Sequence, residues 1–316
     1  MARRRKSSDE AGLDLDRVFA MLDDAPPGLH DLDPARDLPP GVPEPLIELY
    51  ARCGGARIYV DSLELLAPDD VEQVGTRWRF AAQDGDPVAL DAKGRVWRAD
   101  SSVEDDVCEG TRLDRWLAGQ LDALALIYDG DGEFADHVFD EDGEIVPEVR
   151  EQQLRAQLKR DASAPGPRWR LAQLLLERDA EVDARDELEQ VVADDPVFAW
   201  AWLDLARVSE RLGETRGAID EARMGAEAAE GTQHPQAGYF WAQLARLAVR
   251  GGDELVRAEA ATKASLLAPD LKRAQLEGAR ERLEAGDLAS AQGLVELLRA
   301  VWPRDLEVLD LAKQVQ

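Results

Sequence analysis

Residues 271–303 read LKRAQLEGARERLEAGDLASAQGLVELLRAVWP, and their reading decides how half of the chain folds. Ala279 lies in one helical run, Gly286-Asp287 marks a turn, Ala291, Val295 and Leu298 fall on a second run, and Pro303 closes it. Two helices of a hairpin approach closely only where one of the facing side chains is small, which is the reason for the alanines. The glycine ends the first helix with positive φ. The proline follows the second helix, where a missing N–H costs nothing. Prolines recur at Pro196, Pro235, Pro269 and Pro303, spaced 39, 34 and 34 residues apart. A fixed period of this length signals stacked supersecondary units.

Working outward, one preceding unit offers Trp241, Leu244, Ala245, Gly252-Asp253, Ala258, Ala261 and Pro269, and the one before it Trp202, Leu205, Ala206, Gly213-Glu214 and Ala218. A weaker first unit has Arg168, Leu171, Ala172, Ala184, Leu188 and Pro196. This pattern resembles the tetratricopeptide repeat, a two-helix unit. Four units exceed the roughly three that such an array needs to bury a continuous core. The five extra residues fall near Glu230-Gly231-Thr232, which predicts a longer loop in the second unit.

The whole chain has 316 residues, enough for two domains that each bury a core. Its composition is globular, 45% hydrophobic with eight tryptophans, and no apolar run approaches the length of a membrane span. Arg3-Arg4-Arg5-Lys6 is followed by no hydrophobic segment, so neither a secretory nor a twin-arginine signal is expected and the chain reads as cytoplasmic. Cys53 and Cys108 lack metal-ligand spacing and read as small buried side chains. A net charge of −27 argues against nucleic acid or an anionic membrane as partner. It serves solubility, a basic protein partner, or both.

Residues 1–40 are rich in Asp, Pro and charge and are expected to be mostly disordered, apart from a short amphipathic helix carrying Leu15, Val18, Phe19 and Leu22. Pro45 to Tyr50 reads as a short helix ending near Gly54-Gly55. Arg57 to Val60 and Leu63 to Leu66 read as strands. The clearest sheet signal follows: Trp78 to Ala82 alternates, Asp84-Gly85 turns, Val88 to Leu90 runs back, Lys93-Gly94 turns, and Arg95 to Arg98 returns. A helix is expected from Thr111, whose hydroxyl has capping-box spacing to Asp114. Its apolar face, Leu113, Trp116, Leu117, Leu121, Leu124 and Tyr128, would cover the sheet.

This order of elements, with WRFAAQDGD at Trp78 to Asp86, PVALDAKGRVWRA at Pro87 to Ala99 and a closing helix holding Trp116-Leu117, resembles the SUKH superfamily, in particular the branch named for fungal cell-wall assembly regulators. The resemblance spans about residues 40 to 125. One departure is Gly54-Gly55, where members commonly have Asn-Gly; glycine also adopts positive φ and keeps the turn. What the resemblance implies is a protein-binding role. Bacterial members serve as immunity proteins that block toxins, often nucleases, and others are regulatory interaction domains.

Between the two halves, Asp129 to Glu151 holds ten acids (Asp129, Asp131, Glu133, Asp136, Asp140, Glu141, Asp142, Glu144, Glu148 and Glu151) against one base, Arg150. Such a block repels itself and stays at the surface. Asp-x-Asp-Gly occurs at Asp129 and at Asp140, but an EF-hand loop wants glycine sixth, where Phe134 and Ile145 stand, so two turns flanking a short Val138-Phe139 strand are expected instead of a calcium site. Gly130-Asp131-Gly132-Glu133-Phe134-Ala135 matches a dinucleotide fingerprint in form, yet its acids would repel a pyrophosphate.

There is no P-loop, no HExxH and no GxSxG. His30, His137 and His234 lie in separate polar segments and read as solvated. Trp202 and Trp241, at equivalent repeat positions, read as core; Trp200 projects from another face and reads as an exposed anchor.

The expected architecture is an α+β N-terminal domain, an antiparallel meander covered by helices, followed by an all-α tetratricopeptide-like solenoid. Its parts are a tail at 1–40, a SUKH-like domain at 41–128, an acidic connector at 129–160 and an array of about four units at 161–316. The expected function is non-enzymatic protein binding, with no cofactor and no metal. The partner surface is assigned to Asp129, Asp131, Glu133, Asp136, Asp140, Asp142, Glu144 and Trp200. Alternatives are an immunity protein that neutralises a basic, nuclease-like toxin, and an enzyme whose site shows no known motif.

Overall fold

A computed structural model describes residues 12–315. The Arg3 to Lys6 run and the rest of 1–11 lie outside the described residues. Two compact units divide within one helix, the first running through Leu174 and the second from Leu175.

In the first unit the chain order is α1 (Leu15–Asp23), β1 (His30–Leu32), α2 (Glu44–Tyr50), β2 (Ala56–Ile58), β3 (Leu63–Leu65), β4 (Glu72–Val74), β5 (Arg77–Gln83), β6 (Asp86–Asp91), β7 (Val96–Asp100), β8 (Asp105–Gly110), α3 (Leu113–Leu124) and α4 (Pro147–Arg160), with α5 (Pro165–Glu177) beginning there. The eight strands form one antiparallel sheet ordered β1-β2-β3-β5-β6-β7-β8, with β4 paired to β5. Phe80, Val88, Leu90 and Val96 line its buried face and meet Leu113, Trp116, Leu117 and Leu121 of α3. Phe80 and Trp116 contact edge to face with centroids 5.9 Å apart. The β6–β7 turn is held by Asp91: its Oδ1 accepts the N–H groups of Lys93 (2.8 Å) and Arg95 (3.0 Å), and its Oδ2 accepts Trp97 Nε1 (3.1 Å). Burial opposes charge on Asp91, but these donors together outweigh it and hold the carboxyl below its usual range.

Several expectations are corrected. The stretch 12–40, expected to be mostly disordered, carries α1 and β1. Leu15, Val18 and Leu22 join the main core, Asp14 N–H donates to Asp114 Oδ2 (2.9 Å), and β1 extends the sheet beyond β2. The helix follows the expected apolar spacing of Leu15, Val18 and Leu22; what the low hydrophobicity of the tail hid is that a neighbour buries this face and that β1 joins the sheet. Thr111 does not cap α3. Its N–H and hydroxyl both donate to Asp161 (2.6 and 2.8 Å), and α3 starts at Leu113 after an extended Arg112. The buried Asp161 carboxylate competes successfully for both donors. The connector is irregular only as far as Val146; Pro147–Arg160 is helix α4, packed on α3. Gly54 sits where an added Cβ would lie 2.2 Å from the Pro34 carbonyl oxygen, so the glycine pair reflects the close passage of residues 33–36 as well as a turn.

Among its described residues the second unit has helices as its regular elements: α6 (Glu181–Asp194), α7 (Ala199–Arg211), α8 (Thr215–Gly231), α9 (Ala237–Gly251), α10 (Glu254–Leu267), α11 (Leu271–Glu284), α12 (Leu288–Val301) and α13 (Leu306–Gln314). They form tetratricopeptide-like hairpins. Ala206, Ala218, Ala245, Ala264, Ala279 and Ala291 are fully buried at the close approaches, and Gly213, Gly252 and Gly286 take positive φ after α7, α9 and α11. Asp253 and Asp287 cap the following helices by accepting the N–H groups of Val256 and Ser290, each at 3.1 Å. The second unit of the repeat is longer both in α8, which has 17 residues against 14 in α10, and in the loop that follows it, 232–236 against 268–270 after α10. In the last hairpin α12, rather than α11, packs on α9 and α10. The closing α13 beyond Pro303 had no repeat signal.

Candidate functional site

The acidic residues singled out above lie in the first unit, on a piece of chain built as a tandem pair. Tyr128 to Val138 reads YDGDGEFADHV and Phe139 to Val149 reads FDEDGEIVPEV, so an aromatic residue, two aspartates, a glycine, a glutamate and a second large apolar residue recur eleven residues on. Each copy folds as the same turn. Asp129 Oδ1 accepts the N–H groups of Asp131 (2.9 Å) and Glu133 (3.0 Å), and Asp140 Oδ1 accepts those of Asp142 (3.0 Å) and Glu144 (2.9 Å). Gly132 and Gly143 supply the positive φ that each turn requires. The turns are closed by the bridges Tyr128↔Phe134 and Phe139↔Ile145.

Folding the pair this way lines up rings. Tyr59 stacks on Tyr128 at 5.3 Å, Tyr128 lies 5.3 Å from Phe134, and Phe134 meets Phe139 edge to face at 5.0 Å. The row begins in the core, where Tyr59 is buried and His30 contacts its edge at 4.7 Å, and it runs outward to Phe139 at 37% exposure and Phe134 at 61%. Beside Tyr59 the tip of the β2–β3 hairpin holds Val60, exposed and at φ 59°. A β-branched residue in that region is strained by roughly 1–3 kcal/mol. The Val60 N–H donates to the Leu29 carbonyl (3.0 Å) and helps to hold it there.

Asp129, Asp131, Glu133, Asp136, Asp140, Asp142 and Glu144 are all exposed around this row. The structure therefore brings together seven of the eight expected partner residues and adds the aromatic row. Trp200, the eighth, belongs to the second unit and is corrected: it is 8% exposed, its ring 4.8 Å from Phe240 and 6.2 Å from both Tyr239 and His234. The face of α7 that carries it meets the start of α9, so it is packing and not an anchor. Trp241 is fully buried, whereas Trp202 is half-buried with its Nε1 donating to the Pro196 carbonyl (3.0 Å). The rings of the first unit could have been found from the eleven-residue doublet, whose aromatic positions coincide.

Burial lowers the pKa of His30, whose Nδ1 accepts the Tyr59 N–H (3.2 Å) and so favours the neutral ring. Among the described residues no group of three or more His, Cys, Asp or Glu side chains is arranged to hold a metal ion. The Oδ1 atoms of Asp129 and Asp140 are engaged by backbone donors of their own turns. Also among the described residues, no helix is long and apolar enough to cross a membrane.

No model of a known protein family matches the chain, and no curated protein matches it. Solved structures show partial similarity. MamA is 18% identical with a TM-score of 0.36, over 53% of this chain and 90% of MamA. PilF of Pseudomonas aeruginosa is 16% identical with a TM-score of 0.38, over 54% of this chain and 75% of PilF. YrrB, described as a TPR protein with an unusual peptide-binding site, is 13% identical with a TM-score of 0.33, over 51% of this chain and 90% of YrrB.

Proposed function

We propose that this chain is a protein-interaction protein in which a SUKH-like domain at about 41–128, extended by the acidic doublet, docks a basic partner, and the tetratricopeptide-like array serves as scaffold or second docking surface. The observation that carries the reading is the exposed end of the aromatic row, Phe134 and Phe139, set among seven exposed carboxylates. Aromatic side chains supply large contact area at small entropic cost and recur as anchors of interfaces. A carboxylate rim steers a cationic partner and selects against anionic ones. The order of strands and the covering helix α3 support the SUKH-like assignment of the domain.

A narrower reading is an immunity protein for a basic toxin, and it is favoured by the same charge complementarity. Differential capture tests both. The intact chain and a Phe134→Ser/Phe139→Ser/Asp131→Asn/Asp142→Asn variant are used as baits against native-cell lysate at low and high salt. A basic protein retained by the intact chain, lost from the variant and weakened by salt is the expected result. Its nuclease activity, blocked on binding, would select the immunity reading. Identical retention on both baits would remove the aromatic row from the interface and end the proposal.

A further inference from the structure

The strongly acidic second unit contains one wall of the opposite sign. Arg246 and Arg250 of α9, Arg257 of α10, Arg299 of α12 and Arg304 after it surround a groove of about 650 Å³, with Glu254 and Glu296 as its lining acids. Three of these guanidinium groups are held in place. Arg246 donates to both oxygens of Glu210 (3.0 and 2.9 Å), Arg250 bridges to Glu296 (2.7 Å), and Arg257 donates to the Ala300 carbonyl (2.9 Å) and to Glu254. Burial opposes charge on Glu210, but its two arginines outweigh it and keep its carboxyl below the usual range. Arg299 and Arg304 are exposed, and neither forms an ion pair among the described residues. Arg299 also lines a second hollow of about 580 Å³, formed with Leu306, Leu309, Ala312 and the ion-paired Asp310 and Lys313 of α13. Leu306 is 82% exposed.

Resting on the reading of the array as a second docking surface, we propose that these two hollows, which share Arg299, dock an acidic peptide segment with interspersed apolar side chains, its carboxylates on Arg299 and Arg304 and an apolar residue on Leu306 and Leu309. Guanidinium groups present paired donors that match carboxylates in geometry, and because Arg246, Arg250 and Arg257 are engaged by their own acids, Arg299 and Arg304 are the ones left to receive the peptide. The apolar floor and the run of the groove from α9 to α13 exceed what a single small anion would fill. A nucleic acid is disfavoured because its charge extends past the patch into the field of a chain of net charge −27. A short peptide keeps its charges within about one Debye length, ~8–10 Å, of the arginines.

The test uses the intact protein and fluorescence anisotropy with two labelled peptides, one of alternating Glu-Glu-Leu composition and one with every Glu replaced by Gln. Saturable binding of the Glu peptide, roughly tenfold weaker binding of the Gln peptide, and weakening by salt are expected. The Arg299→Gln/Arg304→Gln variant, whose side chains are exposed and unpaired, should keep the wild-type circular dichroism and lose about tenfold in affinity for the Glu peptide. Leu306→Ser should weaken both peptides. Equal affinity for the two peptides, no saturable binding, or no loss in the double variant would overturn the proposal. Displacement of the Glu peptide by millimolar inorganic phosphate would also overturn it, by showing a small-anion site.

Discussion

Glu109, its side chain 1% exposed, receives Arg170 end-on: Nη1 of the arginine donates to Oε2 at 3.0 Å and Nη2 donates to Oε1. Arg98 adds a third cationic contact at 3.6 Å. The pair ties the first turns of α5 to strand β8. Burial opposes charge on Glu109, but the neighbouring Arg170 and Arg98 outweigh it and hold the carboxyl below its ordinary value of 4.5. Replacing Glu109 with Gln leaves two guanidinium groups poorly compensated, and urea unfolding should show a loss of about 3 kcal/mol. The sign of the pH effect follows. A carboxyl depressed by folding contributes fully above its unfolded pKa and loses that contribution as pH falls through the folded value. The gap between wild type and Glu109→Gln should therefore be widest above pH 4.5 and close on further acidification. A gap independent of pH would show that Glu109 acts through packing alone.

Phe134 and Phe139 touch mainly each other and Tyr128, at the solvent end of the row. Changing both to Ser removes two aromatic pairs and should cost about 1–3 kcal/mol of stability, while abolishing retention of the basic partner. Thermal unfolding and binding measured on the same preparation separate the two. A large fall in melting temperature would mean that the row belongs to the core.

The acids of the doublet divide into two kinds. Asp129 and Asp140 hold their turns through Oδ1, whereas the side chains of Asp131 and Asp142 are exposed. Asp131→Asn/Asp142→Asn should slow association with the partner and flatten its salt dependence without changing amide exchange. Asp129→Ala/Asp140→Ala should speed exchange at the amides of Glu133 and Glu144, each of which loses a bond of about 1 kcal/mol. Stopped-flow binding and hydrogen exchange measure each arm.

The contrast between these sites and the fold explains what the sequence allowed. The helix hairpins were readable because proline, glycine and alanine each mark a steric requirement, and β5, β6 and β7 because alternation and tight turns agree. Helix α4 was not, since it is joined to α3 largely by polar side chains: Gln153 donates to the Ala123 carbonyl (3.1 Å), Gln157 to Gln120 (3.3 Å) and Arg160 to Asp122 (2.9 Å), with Leu154 alone fully buried. Strand β8 has no alternation because Val107, Cys108, Glu109 and Gly110 are all buried, the glutamate through its arginines. The arginine groove collects residues spread from 246 to 304, so no linear run announces it. The doublet was visible as two Asp-x-Asp-Gly turns, but the value of its aromatic positions depends on Tyr59, which only the folded chain brings near.

Small residues in the repeats make one further claim testable. Gly238 on α9 faces the end of α10 so closely that an added Cβ would lie 2.4 Å from Ala268 Cβ and 2.9 Å from its backbone nitrogen. Backbone cannot swing aside as a side-chain tip does, so Gly238→Ala should destabilise the second unit by about 1–3 kcal/mol through overpacking. Gly293, in the middle of α12, has nothing within 4 Å of where a Cβ would stand. Gly293→Ala should stabilise by up to about 1 kcal/mol through helix propensity. Opposite signs for one chemical change, read by urea unfolding with unchanged m-values, would establish the close approach of α9 and α10 as the constraint. Equal effects at the two positions would show that propensity alone governs both.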